Sequence, residues 1–195
     1  SIPMFIGFQQ LEVGFDQRDN FDTSVPVVQD FLTLSDEFQS SPSPLYAVIE
    51  GDVISQEGKI LYDEVVLKLV NNGEIPGIPV GIWSVLEESR TSNSELDSLM
   101  SDLNDDDSTW QALEDWLLTA EGRNISASSL NSDSTQTIIS FQAATLDWQD
   151  TADFESALSF ELEKLAKDSD GDFKVQLSGR SLILAQITAD VADSA

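Results

Sequence analysis

The chain is 195 residues long and carries 36 acidic against 9 basic side chains, a formal net charge of −27, with no cysteine and no histidine. That balance repels a phosphate backbone and so excludes a nucleic-acid binder. Thiol chemistry, disulfide staples, zinc-finger sites and every histidine-based triad or metal centre go with the missing side chains.

A hydrophobic content of 41%, with 10 Phe and 4 Trp, supports a packed core and is unlike a disordered acidic tail. The length favours a single domain over 1–195, with a repeated interior. The acids are spread along the chain, the longest run being Asp105-Asp106-Asp107, as on a solvated surface. Lysine is scarce and Asp outnumbers Glu, which suits a salt-rich exterior. Self-repulsion at this charge eases with screening, so the melting temperature is expected to rise from dilute buffer to molar NaCl. No stretch approaches the roughly 20 apolar residues of a membrane span. The nearest, 2–8, is too short and lacks the basic flank of a signal peptide. The chain opens on Ser1, as a processed form or an excised fragment would.

In chain order, the first helix is predicted over 24–38. Ser24 can cap it, Pro26 sits in its first turn, and Val27, Phe31, Leu34 and Phe38 form one apolar stripe. After the break at Ser40–Pro44, residues 45–49 are a continuous apolar run, as in a strand covered on both faces. A helical pattern over 56–70 follows, with Leu61, Val65 and Leu69 on one face. Asn71-Asn72-Gly73 stops it, and the next apolar run, 80–86, reads as a strand. Two short amphipathic helices come next. Leu96, Leu99, Met100 and Leu103 mark the first, and Trp110, Leu113, Trp116 and Leu117 the second, with Asp107 or Ser108 as the cap between them and Gly122 at the end. Residues 124–130 and 136–146 read as a β-hairpin around the polar turn 131–134. A helix over 151–167 carries Phe154, Leu158, Leu162 and Leu165, and a last strand alternates from Phe173 to Ser178. A final helix is expected beyond Gly179.

The pattern therefore contains two strand–helix–strand crossovers. Leu45 to Val80 and Ile138 to Phe173 are each 35 positions apart. The expected fold is α+β: two βαβ units sharing one sheet, a ferredoxin-like plan, with extra amphipathic helices. The repeat core spans 24–178, between a stub at 1–23 and a terminal helix at 179–195.

Chemistry is thinly represented. Asp168, Asp170 and Asp172 in the turn before the last strand are the weak metal candidates, but Gly171 stands fourth and Gly179 twelfth, where an EF-hand loop needs Gly sixth and Glu twelfth. Carboxylate pairs are as frequent as chance makes them in so acidic a chain. Serines lack a histidine base and a Gly-x-Ser-x-Gly elbow, and no phosphate-binding loop or dinucleotide fingerprint occurs. No enzyme activity and no cofactor are expected. Asn124-Ile125-Ser126 satisfies the N-glycosylation sequon. Trp83, Trp110, Trp116 and Trp148 are the candidate lining for a hydrophobic ligand, with core packing as the plain alternative.

The order of elements resembles the extracytoplasmic loop between the first two membrane helices of an RND-superfamily exporter, of the MMPL-like, hydrophobe/amphiphile-efflux branch. The residues that carry the resemblance are Asp19-Asn20-Phe21-Asp22 leading to the Phe31/Phe38 helix, Leu45-Tyr46-Ala47-Val48-Ile49-Glu50-Gly51-Asp52, Thr137-Ile138-Ile139-Ser140-Phe141, and the stretch from Val175 through Gly179 to Leu184. It covers nearly the whole chain, by element order and loose motifs. It implies a porter domain on the outer face of the cytoplasmic membrane, joined to the transmembrane helices of the same protein. Such a domain binds or passes hydrophobic or amphiphilic small molecules or lipids. The relatives occur as monomers, dimers or trimers, so the resemblance allows a homo-oligomer. The apolar segments 2–8 and 182–187 would be stubs of helices entering the bilayer. The acidity would hold the domain off anionic headgroups. The alternative from another class is a free-standing secreted acidic module that captures a ligand or cation.

Overall fold

The computed structural model describes the backbone over 44–144 and 148–179 and the side chains over 44–144 and 153–179. The helix expected over 24–38, the apolar segments at 2–8 and 182–187, and the terminal helix all lie outside the described residues. Within them the fold is mixed α+β, with three strands and six helices: β1 (Leu45–Glu50), α1 (Gln56–Val70), α2 (Ile82–Arg90), α3 (Ser94–Ser101), α4 (Asp107–Leu117), α5 (Ala120–Ser126), β2 (Gln136–Phe141), α6 (Trp148–Asp168) and β3 (Lys174–Gly179). None of these helices is long and apolar enough to cross a membrane.

The sheet runs in the order β2-β1-β3, with β1 antiparallel to both neighbours. Leu45 faces Phe141 and Gly179, Ala47 faces Ile139 and Leu177, and Ile49 faces Thr137 and Val175. Side chains alternate across a strand, so these residues share one face, and nearly all are buried. The opposite face is half-open: Tyr46, Val48 and Ile138 are partly covered, and Glu50, Gln136, Lys174, Gln176 and Ser178 are exposed. The helix α6 packs on β3 and α1 packs on α6, and the buried stripes Leu61/Val65/Leu69 and Leu158/Leu162/Ala166 join the sheet's buried face in one cluster. A fully buried side chain of this size contributes about 1.5–3 kcal/mol.

Because β2 and β3 lie on either side of β1 and α6 connects them, the expected second crossover forms as a split β-α-β unit. The first crossover needs correcting. Its helix stands at 56–70 as expected, capped by Ser55, whose Oγ accepts from the Gly58 N–H at 3.0 Å. The strand expected over 80–86 does not form. Only Val80 pairs, exchanging two backbone hydrogen bonds with Ser140 (2.8 and 2.7 Å) along the edge of β2 that faces away from β1. Residues 82–90 are helical, with Ile82, Trp83 and Leu86 buried and Ser84 and Glu87 exposed. A seven-residue apolar run fits a strand or a buried helical turn, and here the stripe at 82, 83 and 86 decides for the helix.

Gly81 makes the abrupt change possible. A Cβ there would stand 2.5 Å from the Tyr62 hydroxyl and 2.9 Å from the Ile138 carbonyl oxygen, so the chain turns from bridge to helix where a side chain has no room.

The hairpin expected before β2 is also reduced. Residues 120–126 are helix α5, with Gly122 inside it rather than terminating the preceding pair, and the first arm survives only as a bridge between Leu130 and Thr137. The Thr137 hydroxyl donates to Ser129 O at 2.7 Å, and the turn closes with Ser134 at φ 58°. Together with Val80, this stretch covers the outer edge of β2, an edge that would otherwise invite pairing with another chain.

Candidate functional site

A cleft of about 300 Å³ lies between the sheet-bearing layer and the helices inserted after it. Gln56, Lys59 and Ile60 of α1 form one wall, Trp83 and Glu87 of α2 the second, and Met100, Leu103 and Trp110 from α3, its following loop and α4 the third. The volume is at the small end of ligand pockets, and the lining has their usual character, apolar and aromatic with a few polar groups.

Each wall is fixed by local sequence. Asn93 caps α3, its Oδ1 accepting from the N–H groups of Glu95 and Leu96 at 3.1 and 3.0 Å, and its Nδ2 donates to Glu121 at 2.8 Å. Asp106 caps α4, one residue ahead of the expected Asp107, by accepting from the Ser108 N–H at 3.0 Å. That bond holds the Asp106 carboxyl below its usual range. The loop between α3 and α4 is tied down by Asn104. Its carbonyl accepts from the Trp110 indole at 2.7 Å, and its side chain accepts from the Asp106 N–H at 2.7 Å. Across the mouth, Gln56 Nε2 donates to Asp105 Oδ1 at 3.1 Å.

Trp83 and Trp110 meet edge to face, with ring centroids 5.9 Å apart and planes at 78°. Such pairs add about 0.5–1.5 kcal/mol beyond the area they bury. Over the Trp83 ring stands the Lys59 ammonium, 5.3 Å from the centroid, and the same nitrogen is 2.6 Å from Asp63 Oδ2. Glu87 is bound on the outside by Arg90 at 3.2 Å, but Arg90 is drawn more tightly to Asp97 (2.8 Å) and to Ser101 (2.9 Å), and Asp97 pins it in its charged form. Among the described residues no hydroxyl or thiol side chain lines the cleft. The arrangement can hold an apolar body and meet a polar or charged end. Tyr62, three residues along α1 from Lys59, is buried, its hydroxyl has no hydrogen-bond partner among the described residues, and burial, with the Asp63 charge adding to it, pushes its pKa up.

Of the four tryptophans singled out from the sequence, the structure unites Trp83 and Trp110 in the cleft. Trp83 is helical, not on a strand. Trp116 is buried farther along α4, six residues from Trp110 and so about a third of a turn off its face. Trp148 opens α6, and its side chain lies outside the described set. Asp168 ends α6, and Asp170 and Asp172 stand exposed in the turn before β3. Among the described residues, no group of three or more His, Cys, Asp or Glu is disposed to hold a metal ion. Asn124 is exposed on α5.

Sequence reasoning missed Lys59, Gln56, Ile60 and Glu87. Lys59 and Asp63 are four apart on a helix, the spacing of an ordinary surface pair, so nothing local reveals that the ammonium reaches a tryptophan twenty-four positions away. Met100 and Leu103 were legible as one helix stripe, though not as a wall. No family model and no curated protein matches the sequence.

Proposed function

We propose that the chain is the extracytoplasmic, porter-type domain of an RND-type exporter, and that the cleft between Trp83 and Trp110 takes up hydrophobic or amphiphilic small molecules. The observation that carries the binding half is the cleft itself: five of its eight described lining side chains are apolar or aromatic, and Gln56, Lys59 and Glu87 add polar groups that an amphiphile's head could meet.

The exporter half draws on the sequence blocks quoted above and on the course of the chain. Val80 pairs antiparallel with β2, β2 with β1, and β1 with β3. Counting Val80 as a strand reduced to one residue, the spatial order becomes fourth, first, third, second. This is the order of two interleaved βαβ units in the ferredoxin-like porter plan, with the helices α2–α5 inserted after the reduced strand.

Two experiments test the two halves separately. The reading frame around residues 1–195 should encode membrane-spanning segments on both sides. Their absence would leave a free-standing ligand-binding module and remove the exporter. For binding, an environment-sensitive apolar dye such as N-phenylnaphthylamine should take up one site per chain, and Trp110→Ala should weaken it. Dye uptake indifferent to Trp110 would move the site elsewhere.

A further inference from the structure

We propose that the cleft selects organic cations, and that Lys59 is an internal stand-in for the ligand's cationic head. The inference rests on the cleft being a binding site and adds the charge class of what enters it.

The argument starts from the position of Lys59. An ammonium 5.3 Å from the centroid of a tryptophan ring is within reach of the ring's negative face, the attraction by which aromatic sites recognise quaternary ammonium groups. The face of Trp83 is thus already used as a cation seat. Its present occupant is held loosely, because Lys59 is tethered from α1 by a flexible stem and its ion pair with Asp63 is open to solvent, with Lys59 half-buried at 34% and Asp63 exposed at 58%. Exposed pairs of this kind contribute little. Lys59 can swing out and keep Asp63 as its partner while another cation takes the seat.

The surrounding charge favours that exchange and disfavours an anion. Among the described residues Lys59 is the one basic side chain lining the cleft, and Asp63 neutralises it. Glu87 lines the cleft and Asp105 holds Gln56 at its mouth, while Arg90, which reaches Glu87 at 3.2 Å, is shared with Asp97 and Ser101 and so offsets the Glu87 charge only in part. The whole chain carries −27. An anionic head would enter against this field with no unpaired cation among the described lining residues to meet it, whereas a cationic head gains from both the field and the ring. Below the seat, Ile60, Met100, Leu103 and Trp110 offer apolar surface for a short tail.

The test is a titration of the whole chain with three amphiphiles that share one tail, octyltrimethylammonium, octyl glucoside and octyl sulfate, each kept below its micelle concentration and followed by tryptophan fluorescence and calorimetry. The expected order is ammonium, then glucoside, then sulfate, with about tenfold between the first two at low salt and less at high salt. Lys59→Met keeps an apolar stem and vacates the seat, so it should raise the preference for the ammonium over the glucoside several-fold. Glu87→Gln should weaken the ammonium alone. Tighter binding of the sulfate than of the ammonium would overturn the inference and make Lys59 an anion anchor, and loss of ammonium binding in Lys59→Met would overturn it by showing that Lys59 supports the ligand rather than occupying its place. Equal binding of all three heads would overturn it and leave the amphiphile site in place. Failure of all three to bind would remove the site and the inference together.

Discussion

The layer formed by the sheet with α1 and α6, and the insert formed by α2–α5, are built on different rules. The layer has long elements: α1 is 15 residues and α6 is 21, and the strands alternate strictly between a buried and an open face. The insert has helices of 9, 8, 11 and 7 residues, shorter than the roughly 12–15 an isolated helix needs to be marginal in water. Three of these four start on a side-chain cap, at Asn93, Asp106 and Thr119, and all are held by docking. Charge divides the same way. All five lysines of the chain lie on α1, α6 and β3, while 87–123 carries eleven acids against two arginines. The insert is thus the lysine-free, net-acidic and locally capped half, the layer is the half with long-range order, and the cleft lies on the seam between them.

The comparison breaks if the halves unfold separately. Ile139 in the layer and Leu113 in the insert are both fully buried in one hydrophobic cluster. Truncating either to Ala should cost about 2–5 kcal/mol. Trp83, Trp110 and Trp116 all belong to the insert, so in urea fluorescence reports chiefly on that half and far-ultraviolet dichroism on the whole. Coincident transitions are expected for both variants, because the cluster is continuous. A fluorescence midpoint well below the dichroism midpoint in Leu113→Ala would make the insert a unit of its own.

The joint itself can be stressed next. Gly81→Ala drives a Cβ against the Tyr62 hydroxyl, and a contact of 2.5 Å requires something to move. A destabilisation of about 1–3 kcal/mol is expected, as for an overpacked core. Tyr62→Phe removes a buried hydroxyl that has no hydrogen-bond partner among the described residues, so alone it should be close to neutral or stabilising. Combined, the two changes should cost less than the sum of their separate effects. Strict additivity in thermal melts would mean that the Ile138 carbonyl, not Tyr62, sets the limit.

Local capping is a smaller lever. Asn93→Ala removes the cap of α3 and the link from Asn93 to Glu121, and about 1 kcal/mol should be lost in denaturant melts. Ser55→Ala, which removes the cap of the 15-residue α1, should cost no more, because that helix has a long buried stripe to hold it. A larger loss for Ser55→Ala would contradict the idea that caps matter most in the insert.

The same division explains what the sequence discloses. Helix α1 is legible to the residue because Leu61, Val65 and Leu69 are evenly spaced and Asn71-Asn72-Gly73 stops them. The second crossover is legible because Phe173–Ser178 alternates and the 151–167 stripe is long. In the insert the signals are short. Val80–Leu86 satisfies two periods at once, and 124–130 has too few apolar residues to distinguish a helical end from a strand. Pairing partners lie far off in sequence, Val80 with Ser140 and Leu130 with Thr137, so the tertiary contacts that decide these segments leave no local trace. The cleft is half legible for the same reason: its tryptophans stand out by type, whereas Lys59 depends on a contact between α1 and α2.

The subtlest probe is the charge facing across the seam. Glu114 of α4 is partly buried, and its carboxyl is held above its ordinary value of 4.5 by that burial first, then by the charges of Asp52, just past β1, and of Asp115, with the Gln111 side chain opposing. In the interval above 4.5 the folded chain therefore binds a proton that the unfolded chain has released. The stability this contributes is full below 4.5 and is lost as pH rises through the raised value. At neutral pH the ionised Glu114 is a small liability at the junction of layer and insert. Glu114→Gln should accordingly be more stable than the parent at pH 7, by no more than about 0.5 kcal/mol for so accessible a position. The advantage should shrink as the pH falls and vanish by about pH 4. Asp52→Asn should reproduce part of the gain, since it removes one of the two charges that Glu114 faces. A Glu114→Gln difference that stays constant with pH would mean that the two halves meet without this repulsion, and that the substitution acts only through α4.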